Sequence, residues 1–128
     1  MLPASLMISA DNGHALHPNH PEKCDPQNRP ELNKGVLLKF AGNQHYTTDG
    51  LTAARLRVLA KKAGISLQNF FNRSDMPGGS TLGNISAHQI AFPCCDIGLP
   101  ELAMHSALET CGVKDYEDLK KLITEFFA

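Results

Sequence analysis

The stretch VLLKFAGNQHYTTDGLTAARLRVLAKKAGISLQNFF, residues 36–71, decides the fold class. It opens with the aliphatic and β-branched run VLLKF and closes with SLQNFF at residues 66–71, and both runs are typical of strands. Between them, apolar residues recur at helical spacing from Thr52 to Ala63, and Gly64 stands where a glycine commonly ends a helix. This order predicts a strand, a helix and a second strand, which is the repeating unit of an α/β domain.

The same alternation extends toward both ends of the chain. Residues 5–10, SLMISA, and residues 90–99, IAFPCCDIGL, are apolar runs that we expect to form strands. Residues 115–127 place apolar side chains on one helical face, which predicts a terminal amphipathic helix. The glycine-rich residues 73–84 are expected to form a loop. The pattern therefore predicts layered α/β structure with chemistry carried by loops at the strand ends.

Composition limits the class of protein. The chain has 128 residues, of which 42% are hydrophobic and 20% charged, and this composition fits one globular domain. Lys plus Arg number 12 and Asp plus Glu number 13, so the basic excess expected of a nucleic-acid binder is missing. The four cysteines form no C-x-x-C motif, and no apolar run is long enough for a signal or membrane anchor. We expect a soluble cytoplasmic protein that binds neither nucleic acid nor membrane.

The first candidate site is the stretch SADNGHALHPNH, residues 9–20, which holds Asp11 and three of the six histidines. Residues 11–35 contain Pro18, Pro21, Pro26 and Pro30, which predict a long loop over this range. Imidazole nitrogen and carboxylate oxygen are ligands that zinc accepts, so this loop is a metal candidate. Two other interpretations stay open: histidines in such a loop can be solvated, and Asp11 can cap a turn or helix.

Two further candidates are single residues. His105 follows Leu102, Ala103 and Met104, so it is either a metal ligand or a core histidine. Lys39 interrupts the apolar run VLLKF, and it either marks a solvent-facing position or points into a pocket and selects an acidic group.

The stretch MPGGSTLGN, residues 76–84, is the last candidate. Its glycines permit close backbone approach to a ligand, and it lacks the lysine of a phosphate-binding P-loop. It is expected to be a turn whose amides and hydroxyls face a substrate.

Together these motifs resemble the C-terminal part of the aspartyl aminopeptidases, which are cytosolic exopeptidases with two metal ions. The resemblance lies in five stretches that follow one another in the family's order, namely SADNGHALHPNHPEK (9–23), NRPELNKG (28–35), TTDG (47–50), NRSDMPGGSTLGNIS (72–86) and DIGLPELAMHSALET (96–110). It implies a three-layer helix/sheet/helix fold with a mixed, mostly parallel sheet, like that of other zinc peptidases, present here as its C-terminal portion.

The family resemblance also implies a reaction and a site. The reaction is removal of an N-terminal Asp or Glu from peptides, performed by a complete enzyme that forms a homo-oligomer. Asp11 and His105 are implied to be ligands, each on a different ion of a zinc pair, and His17 is a possible catalytic residue. The implied substrate-binding residues are His14, His17, Lys39, Gly78, Gly79, Ser80 and Thr81.

The sequence departs from the family pattern in what it lacks. The family site also needs a His-x-Asp motif, a bridging Asp and an adjacent Glu-Glu pair that supplies the general base, and none of these stands before Asp11. We therefore interpret residues 1–128 as the C-terminal portion of a metallopeptidase catalytic domain, without a second domain and inactive in isolation. The alternative is a non-catalytic folded fragment that oligomerises or binds one metal through the loop of Asp11, His14 and His17.

Overall fold

The computed structural model describes residues 4–128, in which seven strands form two sheets and three α-helices pack around them. The main sheet contains β1 (Met7–Ala10), β3 (Val36–Phe40), β4 (Leu67–Phe71) and β5 (Cys94–Gly98). The second sheet contains β2 (Gly13–His14), β6 (Pro100–Leu102) and β7 (Thr110–Cys111). The helices are α1 (Gly50–Ala63), α2 (Leu82–Ala87) and α3 (Val113–Phe127), and a 3-10 turn spans Pro21–Lys23.

Both sheets are mixed. The main sheet has the order β1-β5-β3-β4, in which β1 pairs with β5 and β3 with β4 in parallel, while β3 and β5 are antiparallel. In the second sheet β6 is the central strand, and it pairs with β2 in parallel and with β7 antiparallel. The predicted mixed, mostly parallel α/β sheet is confirmed.

Helices cover both faces of the main sheet. Helices α1 and α3 lie on one face, where they bury an apolar core that includes Leu38 and Leu56. Helix α2 lies on the other face, because its Gly83 packs against the side chains of Cys94 and Asp96, whereas Cys95 belongs to the apolar core. Successive side chains of a strand point to opposite faces, so the sheet lies between two helical layers. The expected three-layer arrangement is confirmed.

Local signals in the sequence explain the limits of α1. Asp49 accepts a hydrogen bond from the backbone N–H of Thr52, and the Thr52 hydroxyl accepts one from the N–H of Asp49, which forms a capping box. The helix ends at Gly64, whose φ of 68° lies in the left-handed region that favours glycine. The predicted C-terminal glycine is therefore confirmed.

The second sheet continues the pairing of the main sheet. Beyond Ala10, backbone N–H groups of Asp11, Gly13 and Ala15 donate in turn to carbonyls of residues 97, 99 and 101, at 2.8 to 2.9 Å. Gly98 permits this close approach, because a Cβ there would overlap the carbonyl oxygen of Asp11. The chain thus passes from one sheet to the next at Asp11, which places this residue at a strand end.

Several predictions about the ends and exposed faces of helices and strands are wrong. Helix α2 lies partly inside the expected loop 73–84, and β5 begins at Cys94 instead of residue 90. In α3, Leu122 is fully buried, but Tyr116 and Phe127, which were expected on the apolar face, are exposed. None of the helices between residues 4 and 128 combines the length and the hydropathy that a membrane crossing requires.

Candidate active site

A cavity of about 610 Å³ opens where the loops after β1, β4 and β6 meet. Its walls bring together most of the residues selected from the sequence, namely Asp11, His14, His17, Lys39, Gly79, Ser80 and His105. Two others do not line it: Gly78 is half-buried beside the side chain of Asn72, and Thr81 is buried with its hydroxyl directed at Asp96. The cavity therefore joins the three separate loops that the sequence indicated.

Lys39 lies in the wall of this cavity and is only 2% exposed. Its Nζ donates to the carbonyl oxygens of Asp11 at 3.2 Å and Asn12 at 3.0 Å, and it lies 3.4 Å from Oδ2 of Asp11. The ammonium also sits 4.5 Å from the centre of the Tyr46 ring. Burial lowers the pKa of Lys39, and the charge of Asp11 opposes that effect. The alternative that Lys39 marks a solvent face is wrong.

Asp11 directly follows β1 and turns its carboxylate into the cavity. That side chain is 60% exposed and forms an ion pair with the ammonium of Lys39. Among the described residues it caps none of the three α-helices, because their N-caps are Asp49, Thr81 and Gly112. Its oxygens are thus open to a ligand or a cation from the cavity side.

Three histidines of the long loop, His14, His17 and His20, line the cavity. His17 accepts a hydrogen bond at Nδ1 from the N–H of Asn19 at 3.2 Å, and its ring lies 5.2 Å from that of His20. His20 in turn lies 3.2 Å from a carboxylate oxygen of Glu22. Within residues 4–128, no three His, Cys, Asp or Glu side chains are grouped to hold a metal ion. Asp11, His14 and His17 therefore do not converge on one ion.

His105 occupies a tight turn after β6. Its φ of 67° is left-handed, and its backbone N–H donates to Oε1 of Glu109 at 2.6 Å. The residue is exposed and lines the cavity, so the alternative of a buried core histidine is wrong. The turn reverses the chain between the antiparallel strands β6 and β7, and His105 lines the same cavity as Asp11.

Sequence reasoning missed three polar residues that support these walls. The side-chain amide of Asn12 donates to Oε2 of the buried Glu101 at 2.7 Å, and its Oδ1 accepts from the N–H of Leu99 at 3.1 Å. Asp96 is fully buried in β5. A charged residue inside the apolar run IAFPCCDIGL could have been selected for the same reason as Lys39.

Arg73 connects two of the loops at the cavity mouth. Its guanidinium donates to the backbone carbonyl of Glu22 in the long loop and to the carboxylate of Asp75 in its own loop. Arg73 also lines the cavity. These contacts tie the 3-10 turn to the segment that follows β4.

Comparison with known families identifies this arrangement. Residues 1–127 match the family described as aminopeptidase I zinc metalloprotease (M18). The chain belongs to the M18 family. The expected membership in a family of zinc metalloaminopeptidases is thereby confirmed.

Curated M18 relatives match almost the whole chain. It is 48% identical over 126 residues to a probable M18 family aminopeptidase 2 of Clostridium novyi (strain NT), which covers 98% of this chain and 29% of the relative. It is 43% identical over 127 residues to the protein of the same name from Mycobacterium leprae (strain TN), covering 99% and 30%. The chain therefore spans about 30% of the length of these relatives.

Solved structures of the family share the fold. The Ape4 chain of a cryo-EM complex with Nbr1 superposes with a TM-score of 0.96 at 40% identity, over 98% of this chain and 24% of that one. The mApe1 dodecamer of S. cerevisiae gives a TM-score of 0.86 at 31% identity, over 98% and 27%. The M18 fold therefore extends over nearly all of this chain.

Proposed function

We propose that this chain forms part of the active site of an M18 zinc aminopeptidase that removes an N-terminal Asp or Glu from peptides. One observation carries the proposal: an ammonium, that of Lys39, is buried in the wall of a cavity that also holds Asp11 and His105. A buried ammonium pairs strongly with a carboxylate that enters a partly dehydrated pocket. The acidic side chain of a substrate would supply that carboxylate.

The donor set of the cavity fits zinc as one part of a larger site. Asp11 offers carboxylate oxygens and His105 an imidazole, and both are ligand types that zinc takes. The family resemblance implies that each of the two residues would serve a different ion of a pair. When bound, zinc held by these residues would act as a Lewis acid that activates water and polarises the peptide carbonyl.

The contacts of Lys39 support a role in binding the substrate. Two of its N–H groups are satisfied by the carbonyl oxygens of Asp11 and Asn12, at 3.2 and 3.0 Å. The third points to the Asp11 carboxylate across a longer separation of 3.4 Å. If Asp11 serves a metal ion, this third N–H is free for the substrate's carboxylate. The two carbonyls then fix the direction of the ammonium.

The histidines and the glycine-rich loop would hold the rest of the substrate. Because Nδ1 of His17 accepts from Asn19, the neutral ring carries its proton on Nε2 and can donate it toward the cavity. His14 lines the same wall. The loop from Gly78 to Thr81 would border the substrate, with Gly79 and Ser80 on the cavity side.

The complete protein is proposed to be a cytoplasmic homo-oligomer. Support for the oligomer comes from the S. cerevisiae mApe1 dodecamer, whose chain shares this fold at 31% identity.

The proposal is tested with the full-length protein that carries this segment. Peptides that differ only in an N-terminal Asp, Glu or Ala are incubated with the purified protein, before and after chelation and zinc restoration. We expect zinc-dependent release of Asp and Glu with kcat/KM at least roughly tenfold above that for Ala, the factor given by about 1.4 kcal/mol. Equal rates on acidic and neutral peptides would refute the acidic specificity. Turnover that survives chelation would refute the metal dependence.

A further inference from the structure

A fully buried carboxyl group, that of Asp96, lies in β5 and has no part in the steps proposed above. Its Oδ2 accepts hydrogen bonds from the backbone N–H of Thr47 at 2.6 Å and from the Thr47 hydroxyl at 2.8 Å. Its Oδ1 accepts one from the Thr81 hydroxyl at 2.5 Å. A buried carboxylate is costly unless donors satisfy it, so these three bonds hold both loops firmly to the strand.

Each of the two loops leads directly to a wall of the cavity. Thr47 follows Tyr46, whose ring lines the cavity and lies 4.5 Å from the Lys39 ammonium. Thr81 follows Ser80, which lines the cavity from the glycine-rich loop. Asp96 therefore fixes two walls that are far apart in sequence to a single point in the sheet.

The surroundings of Asp96 show that the local structure is arranged around this contact. Thr81 is the N-cap of α2, yet its side chain makes no capping hydrogen bond, because its hydroxyl is directed to Asp96. Gly83 in the first turn lies so close that a Cβ would stand 2.9 Å from Oδ1 of Asp96. The backbone N–H of Asp96 donates to the Thr48 hydroxyl at 2.9 Å.

We propose that Asp96 is a positioning residue that sets the separation of Tyr46 and Ser80, and with it the width of the pocket for the substrate's N-terminal side chain. This inference rests on the proposed function, because it concerns the same pocket. Asp96 touches no reacting atom in this scheme. It acts through Thr47 and Thr81.

Asp115 provides a matched control. It is also fully buried, and its carboxylate accepts from the backbone N–H groups of Asn33 at 2.6 Å and Gly35 at 2.7 Å. It belongs to α3 and does not line the cavity. Replacing either Asp leaves buried donors without a partner, so both changes destabilise the fold, but only one of them releases the cavity walls.

The variants are compared in the full-length protein at matched fractions of folded enzyme. We expect Asp96→Ala to raise KM for peptides with N-terminal Asp or Glu by about tenfold to a hundredfold, as the loss of hydrogen bonds to a charged group predicts. The value of kcat should change less. Asp115→Ala should leave KM within about twofold of wild type, because the residues that Asp115 holds, Asn33 and Gly35, do not line the cavity.

A milder change guards against failure of Asp96→Ala to fold. Thr81→Val keeps the volume of the side chain and removes one of the three donors, so KM should rise by about threefold to tenfold. Thr81→Ser keeps the hydroxyl that bonds to Asp96, so its KM should rise less than that of Thr81→Val. A Thr81→Val enzyme with the KM of wild type would overturn the proposal.

Hydrogen exchange gives a second measurement that does not depend on activity. Asp96→Ala and Thr81→Val should speed amide exchange in residues 45–49 and 79–83, whereas Asp115→Ala should speed it near residues 33–35. Uniform acceleration in all three variants would show that Asp96 only stabilises the fold. If the wild-type protein fails to cleave acidic peptides, the proposed function fails, and the exchange pattern still decides whether Asp96 holds the two walls.

Discussion

The two faces of the main sheet differ in what they bury, and β3 contributes to both. Val36 and Leu38 point to the face covered by α1 and α3, where the core is apolar. Leu37 and Lys39 point to the opposite face, where the cavity lies and where Asp96 is buried as well. One strand therefore supplies hydrophobic stabilisation on one side and a buried charge on the other.

This contrast separates two physical roles. The face covered by α1 and α3, called the helix face below, is stabilised by non-directional burial of apolar area, which tolerates changes that preserve volume. The cavity face is held by directed hydrogen bonds such as those of Lys39 and Asp96, which fail when one partner is removed. Mutations on the helix face should thus change stability, and mutations on the cavity face should change binding and selectivity.

The largest effect is expected when residues 1–128 are separated from the rest of an M18 enzyme. A polypeptide of these residues contains no Glu-Glu pair to supply a general base, and residues 4–128 offer no group of three metal ligands. Its turnover of peptides with N-terminal Asp or Glu should not exceed background, and calorimetry should detect no tight zinc site. Turnover abolished by chelation, or a nanomolar site removed by His14→Ala, would show that the cavity face is functional without further residues.

The second largest effect is a loss of stability when a residue of the helix face alone is changed. Leu56 of α1 is fully buried in the apolar core, so Leu56→Ala should lower the free energy of unfolding by about 2–5 kcal/mol. Denaturant unfolding of the full-length protein measures this loss. The ratio of kcat/KM for acidic over neutral peptides should stay unchanged among folded molecules. A changed ratio would show that the two faces are coupled.

Lys39→Met makes the complementary test on the cavity face, since it keeps the stem and removes the charge. We expect kcat/KM for N-terminal Asp and Glu to fall by roughly one and a half to three decades, corresponding to about 2–4 kcal/mol. Peptides with a neutral N-terminal residue should lose little. Equal losses on both substrates would mean that Lys39 supports the position of Asp11 and does not select the substrate.

Elements that carry a clear local sequence pattern could be predicted, and short elements without one could not. Strands β3 and β4 and helix α1 were predicted because each carries its own periodicity and, in α1, a terminal glycine. The strands of the second sheet have two or three residues, and their pairing is inherited from β1 and β5, so no local pattern marks them. Helix α2 has six residues, begins inside the glycine-rich segment 73–84, and was missed because so short a helix carries no clear periodicity.

The same distinction between local patterns and tertiary contacts applies to the candidate site residues. Asp11 and Lys39 could be selected because each is a charged residue in or directly after an apolar run. Asn12 and Glu101 could not, because their importance lies in a hydrogen bond between residues 89 positions apart. Contacts of that kind depend on the tertiary fold, which no local pattern encodes.

The smallest expected effect is a pH dependence of stability that arises from Cys95. Cys95 and its neighbour Cys94 point to opposite faces of β5. Burial in the apolar core raises the pKa of Cys95 from 9.0 to about 12. Since the unfolded chain releases this proton at a lower pH, the folded state binds more protons above pH 9. The contribution of Cys95 to the free energy of unfolding therefore falls as pH rises above 9, by at most about 1.4 kcal/mol per pH unit.

Thiol reactivity measures the same property site by site. At pH 8, alkylation followed by peptide mass spectrometry should label the exposed Cys111 quickly and Cys95 only at the rate of unfolding, because the thiolate is the reactive form. Cys95→Ser serves as the control for the pH dependence of stability, which should become flatter above pH 9. Rapid labelling of Cys95 in the folded protein would show that the helix-covered face opens to solvent, and the contrast between the two faces would then fail at β5.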